Sequence, residues 1–296
     1  MVFGAGGFLG SKVCEPLERR GVDHRPLTRS TGDPKLRVDL ATDHHLDTLI
    51  GMYEPTVVIN AAAATHGDAL ALAQGNVVAV EALLSSLRFN GSNARLVHIG
   101  SAAEYGGAPH GTSQDEKAEL RPGAAYGYTK LAGSELVLRA KRHGADAVVL
   151  RSFNISGPGS PASTLLGRVV RQLGTTDRLQ LGSLEAWRDY VDVRDVAAAV
   201  VAAATADAEL PPVLNVGSGK ASLARDVVQR LVELSGTGAE VVEGTVNAGH
   251  AGSPADSVPW QQADTALIAK HLGWSTMIGL DQSLADTWAA RGSASQ

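Results

Sequence analysis

Three short runs, "VVIN" (57–60), "ARLVHIG" (94–100) and "DAVVLRSF" (146–153), are apolar at almost every position. A strand with one wet face alternates apolar and polar residues, whereas a nearly continuous apolar run marks a strand covered on both faces. Each run is too short for a helix. Between them the spacing predicts helices over Ser11–Arg20, roughly Ala69–Arg88, and Tyr126–His143. Strands alternating with helices build an α/β fold, a doubly wound parallel sheet with helices on both sides.

The pattern changes at "NISGPGSP" (154–161), where glycines and prolines interrupt the chain. Beyond it the sequence predicts a helix near Leu165–Leu173, a strand at "RDYVDV" (188–193) and an Ala-rich helix over Val196–Ala206. A strand-like "VLNVGSG" (213–219) follows, then helices mixed with loops such as "NAGHAGSPADS" (247–257). At 296 residues the chain suits one large domain or two small ones.

Lys and Arg total 26 against 31 Asp and Glu, a net charge of −5, so neither nucleic acid nor an anionic membrane is expected as partner. The single cysteine, Cys14, excludes an intrachain disulfide and reads as a small buried residue on the first helix. The start lacks the basic residues and long apolar core of a signal peptide. Val196–Ala206, read as the longest mostly apolar stretch, is too short to span a bilayer. A cytoplasmic protein is the expectation.

The chain opens on "MVFGAGGFLGS", with Gly4, Gly7 and Gly10 three residues apart. A glycine turn between a strand and a helix lets the backbone approach a pyrophosphate, which then faces the helix N-terminus. The spacing is G-x-x-G-x-x-G, and the helix that follows holds Pro16, which fits only its first turns or a kink. Residues 1–156 and 188–216 are therefore assigned to a dinucleotide-binding (Rossmann) domain. Residues 157–187 and 217–296 are assigned to a smaller, partly discontinuous C-terminal substrate domain.

An acid that takes the adenosine ribose hydroxyls is expected near residue 28, but the sequence there is "HRPLTRSTG". Thr28 stands in that place and Arg29 follows. An arginine pairs with a 2′-phosphate where an acid would repel it, so NADP(H) is favoured and NAD(H) remains open. The plain alternative makes Arg25 and Arg29 solvated charges. Asp39, with Leu40 in "RVDL", is a candidate for the adenine edge; a cap or turn explains it equally.

"YGYTK" sets Tyr126 and Lys130 four residues apart, on one helix face. A phenol is a weak acid with a free pKa of about 10, and a nearby ammonium favours its ionised form. Lys130 is therefore expected to lower Tyr126 toward neutrality. Ser101 ends the strand of "LVHIGSAAEYGG", at the edge where a doubly wound sheet gathers its ligand. It can reach the oxygen that Tyr126 serves, a reading preferred to a turn cap.

With these motifs in order, the chain resembles the extended short-chain dehydrogenase/reductase family, in its nucleotide-sugar epimerase, dehydratase and reductase branch. "GAGGFLG", "VVINAAA", "HIGSAAEYGG", "RPGAAYGYTK", "VVLRSFNISGPG", "RDYVDVRDVA", "NVGSGKASL" and "ADTALIAKHLGW" carry the resemblance along nearly the whole chain. It implies Ser101, Tyr126 and Lys130 as the catalytic triad. It implies Gly4, Gly7, Phe8, Leu9, Gly10, Ala61, Ala62 and Asn76 along the cofactor, with Tyr126 and Lys130. Asn154 and Arg188 are implied as substrate contacts, Arg188 at the diphosphate, with a surface ion pair to Asp189 or Asp192 as the plain alternative. Asp264 has a weaker claim on the nucleotide ribose, because "VPWQQAD" lacks the arginine the family often carries there. A homodimer through the helices of Asn76 and Tyr126 is also implied.

Departures from the family pattern narrow the reaction. Ala102 and Ala103 stand where 4,6-dehydratases carry an Asp-Glu pair, and Glu104 falls one place later, aimed elsewhere. Ala103 also replaces the cysteine of GDP-fucose synthase-type enzymes, and no histidine lies between His143 and His250. His66 and His98 read as a loop and a core-strand residue. An NADP(H)-dependent ketoreductase acting at C4 of a nucleotide-linked deoxysugar remains, in sugar or natural-product biosynthesis. The alternative is an NAD-dependent 4-epimerase. A non-catalytic dinucleotide sensor is disfavoured by the intact triad. No metal is expected.

Overall fold

The computed structural model describes residues 1–33, 35–43, 45–244 and 258–292. Its first half runs β1 (Val2–Phe3), α1 (Phe8–Arg19), β2 (Pro26–Leu27), α2 (Leu46–Tyr53), β3 (Val57–Asn60), α3 (Ala69–Ala73), α4 (Ala79–Phe89), β4 (Arg95–Ser101), α5 (Ala125–Arg142) and β5 (Ala147–Ser152). The second half runs β6 (Asn154–Ser156), α6 (Leu165–Leu173), β7 (Arg178–Leu181), β8 (Trp187–Asp192), α7 (Val193–Ala204), β9 (Val213–Val216), β10 (Ala221–Leu223), α8 (Ala224–Ser235), β11 (Glu240–Glu243), α9 (Ala266–Leu272) and α10 (Leu280–Ala289). The loop expected over 247–257 lies outside the described residues.

Six strands form one parallel sheet in the order β2-β1-β3-β4-β5-β9. The continuous apolar runs have the expected cause. Successive side chains point to opposite faces, and both faces are covered. Val2, Ile59, Val97, Val148 and Leu214 face α1, α7 and α9; Phe3, Val58, Leu96, Val149 and Val213 face α2, α4 and α5. Cys14 is buried on α1, where burial pushes its thiol up to about 11. Pro16 lies well inside α1 rather than in its first turns; the helix tolerates the missing N–H at that point.

The helix expected over 69–88 is a continuous run, Ala69–Phe89, in which a π-helical turn at Gln74–Val78 joins α3 to α4. An 18-residue window within its 21 residues reaches a mean hydropathy of 1.5, so among the described residues this run, and not Val196–Ala206, is the helix long and apolar enough to cross a bilayer. Here it packs on α5 and α2 and turns Asn76, Leu83 and Leu84 inward. Asp68 starts it by accepting the Ala71 N–H at 2.8 Å.

A three-stranded sheet, β10-β8-β6, and a β7–β11 pair make the smaller layer, whose core gathers Leu179, Leu181, Leu231 and Leu284 between α6, α8 and α10. Sheet membership crosses the domain limits drawn from the sequence. β6 and β8 belong to the smaller sheet, although 154–156 and 188–192 were assigned to the dinucleotide domain. Conversely, Ile268 and Trp274 return to the core of the large sheet, and Trp274 donates to the Asp195 carbonyl at 3.0 Å.

Candidate active site

Parallel strands place all their C-terminal ends on one edge, and the residues singled out in the sequence gather there. β1 ends in the glycine turn. Gly4 has φ +78°, and a Cβ on it would stand 2.6 Å from Ala62 N. A Cβ on Gly10 would collide with the Gly4 carbonyl, so glycine there lets α1 begin against the strand. Gly7 is the N-cap of α1 and no side chain caps that helix start. The cradle thus offers unshielded N–H groups beside close backbone, which fits the pyrophosphate of a dinucleotide. Phe8 and Leu9 anchor it in the core.

Ala61 and Ala62 pass along this turn at the end of β3. Asn60 holds them by accepting the Ala62 N–H at 3.2 Å, and its amide donates to His98 Nδ1 at 3.2 Å. His98 is the buried strand residue expected, and burial holds its imidazole well below its usual value and neutral. Asn76 accepts the Ala64 N–H at 2.9 Å and donates to the Ala64 carbonyl at 2.8 Å and to Thr129 Oγ1 at 3.0 Å. Only 2% exposed, it has no amide hydrogen left for a ligand; it clamps the loop after β3 to α5.

Ser101 ends β4 and caps the short 3-10 turn Ala102–Glu104, accepting the Ala103 N–H at 3.2 Å. The cap set aside in favour of catalysis is therefore present, and both roles are compatible. Its oxygen accepts from Ala103, which leaves the hydroxyl hydrogen free for Tyr126 beside it. Lys130 is 2% exposed and donates to the Ile99 carbonyl at 2.6 Å. Burial pulls its ammonium down to about 8. Burial raises the Tyr126 phenol, and Ser101 is the neighbour that opposes the rise. The expected lowering of Tyr126 by Lys130 gives way to a phenol kept protonated at neutral pH.

Glu104 does turn away from this opening, as its offset suggests. It is fully buried, with Oε1 accepting from Ser101 N and Ser134 Oγ, both at 2.8 Å, and Oε2 from Arg151 Nε at 2.7 Å.

On β8, Arg188 is half-buried and its one hydrogen bond among the described residues goes to the Trp187 carbonyl, at 2.8 Å. The ion pair with Asp189 or Asp192 is not formed. Asp189 accepts from Ser218 N, Ser218 Oγ, Gly219 N and Ala263 N, and Asp192 is held by Arg194. Burial lowers the Arg188 guanidinium, the state of a cation short of an anion. Asn154 lies beside it in the small sheet, donating to the Asp189 carbonyl at 3.4 Å. Asp264 spends a carboxylate oxygen on the Ala266 N–H at 2.8 Å, a turn role. Gln261, in the "VPWQQAD" segment that lacks an arginine, donates to the Ala102 and Gly106 carbonyls at 3.0 and 3.1 Å.

At the adenosine end, Asp39 takes the turn role, accepting the Ala41 N–H at 3.0 Å, and the Leu40 side chain is in the core rather than at a ligand. Arg29 is exposed after β2. Arg25 lies at the other end of that strand, paired with Asp23 at 2.6 Å. The sequence reading missed Arg37. It bridges Thr28 in parallel register, and residues in register share a face. Thr28 faces the glycine turn, since a Cβ on Gly6 would stand 2.6 Å from its hydroxyl. Only this pairing of two loops reveals Arg37.

The glycine cradle and the Ser101–Tyr126–Lys130 group belong to one edge of one sheet. The model of the NAD dependent epimerase/dehydratase family matches residues 1–217, and the chain belongs to that family. It is 37% identical to the dTDP-6-deoxy-L-talose 4-dehydrogenase (NAD(P)(+)) of Kitasatospora kifunensis, over 99% of this chain and 95% of the relative. It is 27% identical to the GDP-6-deoxy-D-mannose reductase of Pseudomonas aeruginosa, over 64% of this chain and 66% of the relative. Its fold matches that of MoeE5 in complex with UDP-glucose and NAD, with a TM-score of 0.86 and 27% identity over 98% of both chains. The protein is an NAD(P)-dependent enzyme of the extended short-chain dehydrogenase/reductase type.

The lysine carries a stability cost that pH exposes. Unfolded, Lys130 keeps its proton to about its ordinary 10.5; folded, only to about 8. Below pH 8 the buried ammonium destabilises the fold by about 3 kcal/mol. Between 8 and 10.5 the cost fades, because the native state has already released a proton that unfolding takes up. Lys130→Met is expected to raise the urea midpoint at pH 7, less what the Ile99 carbonyl loses with its donor. That advantage should shrink as the pH climbs from 8 to 10.5. Paired urea curves at pH 7 and pH 10 measure it, and an advantage independent of pH contradicts a protonated, buried Lys130.

Proposed function

We propose that this enzyme is an NADPH-dependent reductase of the C4 keto group of a nucleotide-linked deoxysugar. The observation that carries the reading is the chemistry of residues 102–104. Ala102 and Ala103 move no protons, and Glu104 is committed to the core. Beside Ser101, the remaining proton donor is the phenol of Tyr126. Such a site exchanges hydride and proton at one carbon and lacks the acid–base pair that eliminates water. The similarity to a dehydrogenase acting at the 4-position of a dTDP-6-deoxysugar supports the choice of carbon.

A dinucleotide held at the Gly4, Gly7 and Gly10 turn would supply hydride to the carbonyl carbon. Tyr126 gives its proton to the carbonyl oxygen as this becomes an alcohol, a transfer that suits a phenol still protonated at neutral pH. Ser101 directs its free hydroxyl hydrogen at the developing charge. Arg188 takes the diphosphate, where a planar guanidinium fits paired oxygens. At the adenosine end, the missing acid and the exposed Arg29 support NADPH, and Arg37 adds a second cation on the face of Thr28.

The test is incubation with NADPH and a panel of 4-keto-6-deoxy nucleotide sugars, following the reduced-nicotinamide absorbance. Turnover with at least one member is expected, and Tyr126→Phe should keep NADPH affinity and lose about 10²–10⁴-fold in rate. No oxidation with any sugar, or an oxidised cofactor that survives gel filtration, rejects the reading; the latter favours the 4-epimerase. Arg29→Ala should weaken NADPH about tenfold and leave NADH nearly unchanged. Equal weakening of both by isothermal titration removes the phosphate-pairing argument.

A homodimer belongs to the same proposal. Leu70, Val78 and Phe89 on the α3–α4 run and Tyr128 on α5 are large apolar residues left exposed on neighbouring helices. Sedimentation equilibrium should give a dimer, and Phe89→Glu a monomer; a monomeric wild type refutes it.

A further inference from the structure

Glu104 and Arg151 lie beneath the catalytic hydroxyls as a charge pair 0% and 2% exposed. We propose that Glu104, anchored by Arg151, is the positioning residue of this active site: it locks Ser101 against α5 and provides the negative charge that Tyr126 and Lys130 face. The inference rests on reading Ser101, Tyr126 and Lys130 as the catalytic group.

The geometry is that of a bracket. One carboxylate oxygen receives both the Ser101 N–H of β4 and the Ser134 hydroxyl of α5, each at 2.8 Å. The strand end and the catalytic helix therefore meet on a single atom. The other oxygen receives Arg151 Nε at 2.7 Å from the adjacent strand. Arg151 is itself fixed over the Tyr105 ring, 4.7 Å from its centre, and Tyr105 donates to Asn215 Oδ1 at 2.8 Å. Room is kept for the carboxylate, since a Cβ at Gly100 would stand 2.8 Å from Glu104 Oε1.

A buried ion pair is a poor device for stability alone, because apolar side chains of similar volume often serve as well or better. Its charge has listeners here. The charged group that acts on Lys130 is Glu104, with the neutral His98 and the Ile99 carbonyl from β4 beside it; Ser134, one turn further along α5, and Arg151 on β5 both bind Glu104 itself. Glu104 favours the protonated form of both Lys130 and Tyr126.

Glu104→Gln removes the charge and keeps an acceptor for Ser101. The alkaline limb of kcat should move down by about one pH unit, with KM for NADPH within about twofold. The tyrosinate absorbance of the protein, with Tyr126→Phe as the reference that isolates this phenol, should shift in the same direction. That titration needs no turnover, so it decides the inference even where no sugar is reduced and the functional reading fails. Should the single variant not fold, Glu104→Gln with Arg151→Met removes both charges and is expected to shift the same readouts less. Titrations that stay at their wild-type positions in a folded variant overturn the proposal, whatever happens to kcat, because a merely structural bracket would lower the rate without moving them.

Discussion

The hydrogen bond from Lys130 Nζ to the Ile99 carbonyl ties α5 to the middle of the sheet, and the arrangement of the candidate site depends on it. An ammonium buried at this depth has lost its hydration, and one carbonyl at 2.6 Å replaces only part of it. The residue is therefore held at a cost to the fold. Its place is set by α5, which brings Tyr126 one turn away to the end of β4. Ser101 sits at that end because β4 runs one residue past the apolar run and turns at once into a 3-10 cap. Strand length, cap and helix register together put a hydroxyl and a phenol side by side.

Other buried polar groups do similar work at longer range. Asp189 gathers Ser218, Gly219 and Ala263, joining the turn before β10 to the segment before α9. Asn215 accepts from Tyr105 and donates to the Gln114 carbonyl, which fastens the loop after β4 to the end of β9. Asn76 does the same for the loop after β3. Each is a fully engaged group, and each cross-links segments that a sheet alone would leave independent. The small sheet is thus tied to the large one by side chains rather than by a continuous ladder.

Much of this was legible beforehand, and the limits have a physical pattern. The strand at "VVIN" emerged as Val57–Asn60, and the helix expected near Leu165–Leu173 spans those residues, because local periodicity and punctuation specify both. Strand polarity and helix spacing put Ser101 at the end of β4 and Tyr126 and Lys130 one turn apart on α5. What stayed hidden depends on partners far along the chain. Arg151 gave no sign of meeting Glu104, 47 residues before it, and Arg37 reads as a loop charge until Thr28 is seen beside it. Asn76 matched a family position, but its engagement with Ala64 and Thr129 is a matter of three segments meeting. Sheet membership crosses the domain limits drawn from the sequence for the same reason. β6 and β8 adjoin elements of the large domain in sequence, yet pair with each other.

Two arginines of the β8 region make the electrostatic argument sharpest. Arg194 is held between Asp192 at 2.8 Å and Asp286 at 2.7 Å, and these carboxylates raise its guanidinium further above its ordinary value. Arg188, on the strand just before it, is desolvated without either benefit, and burial moves it the opposite way. The nearby acid that could neutralise it, Asp189, points to the other face of β8 and is saturated with N–H donors. A guanidinium in that condition gains more from an arriving anion than one already paired, since its desolvation has been met before the ligand comes. The phosphate-bearing end of a nucleotide sugar is an anion of the right kind. The missing second arginine makes this the stronger requirement, because the sequence holds no arginine between Arg230 and Arg291. On the proposed reading, substrate anchoring at the diphosphate concentrates on one side chain, where many family members divide it between two.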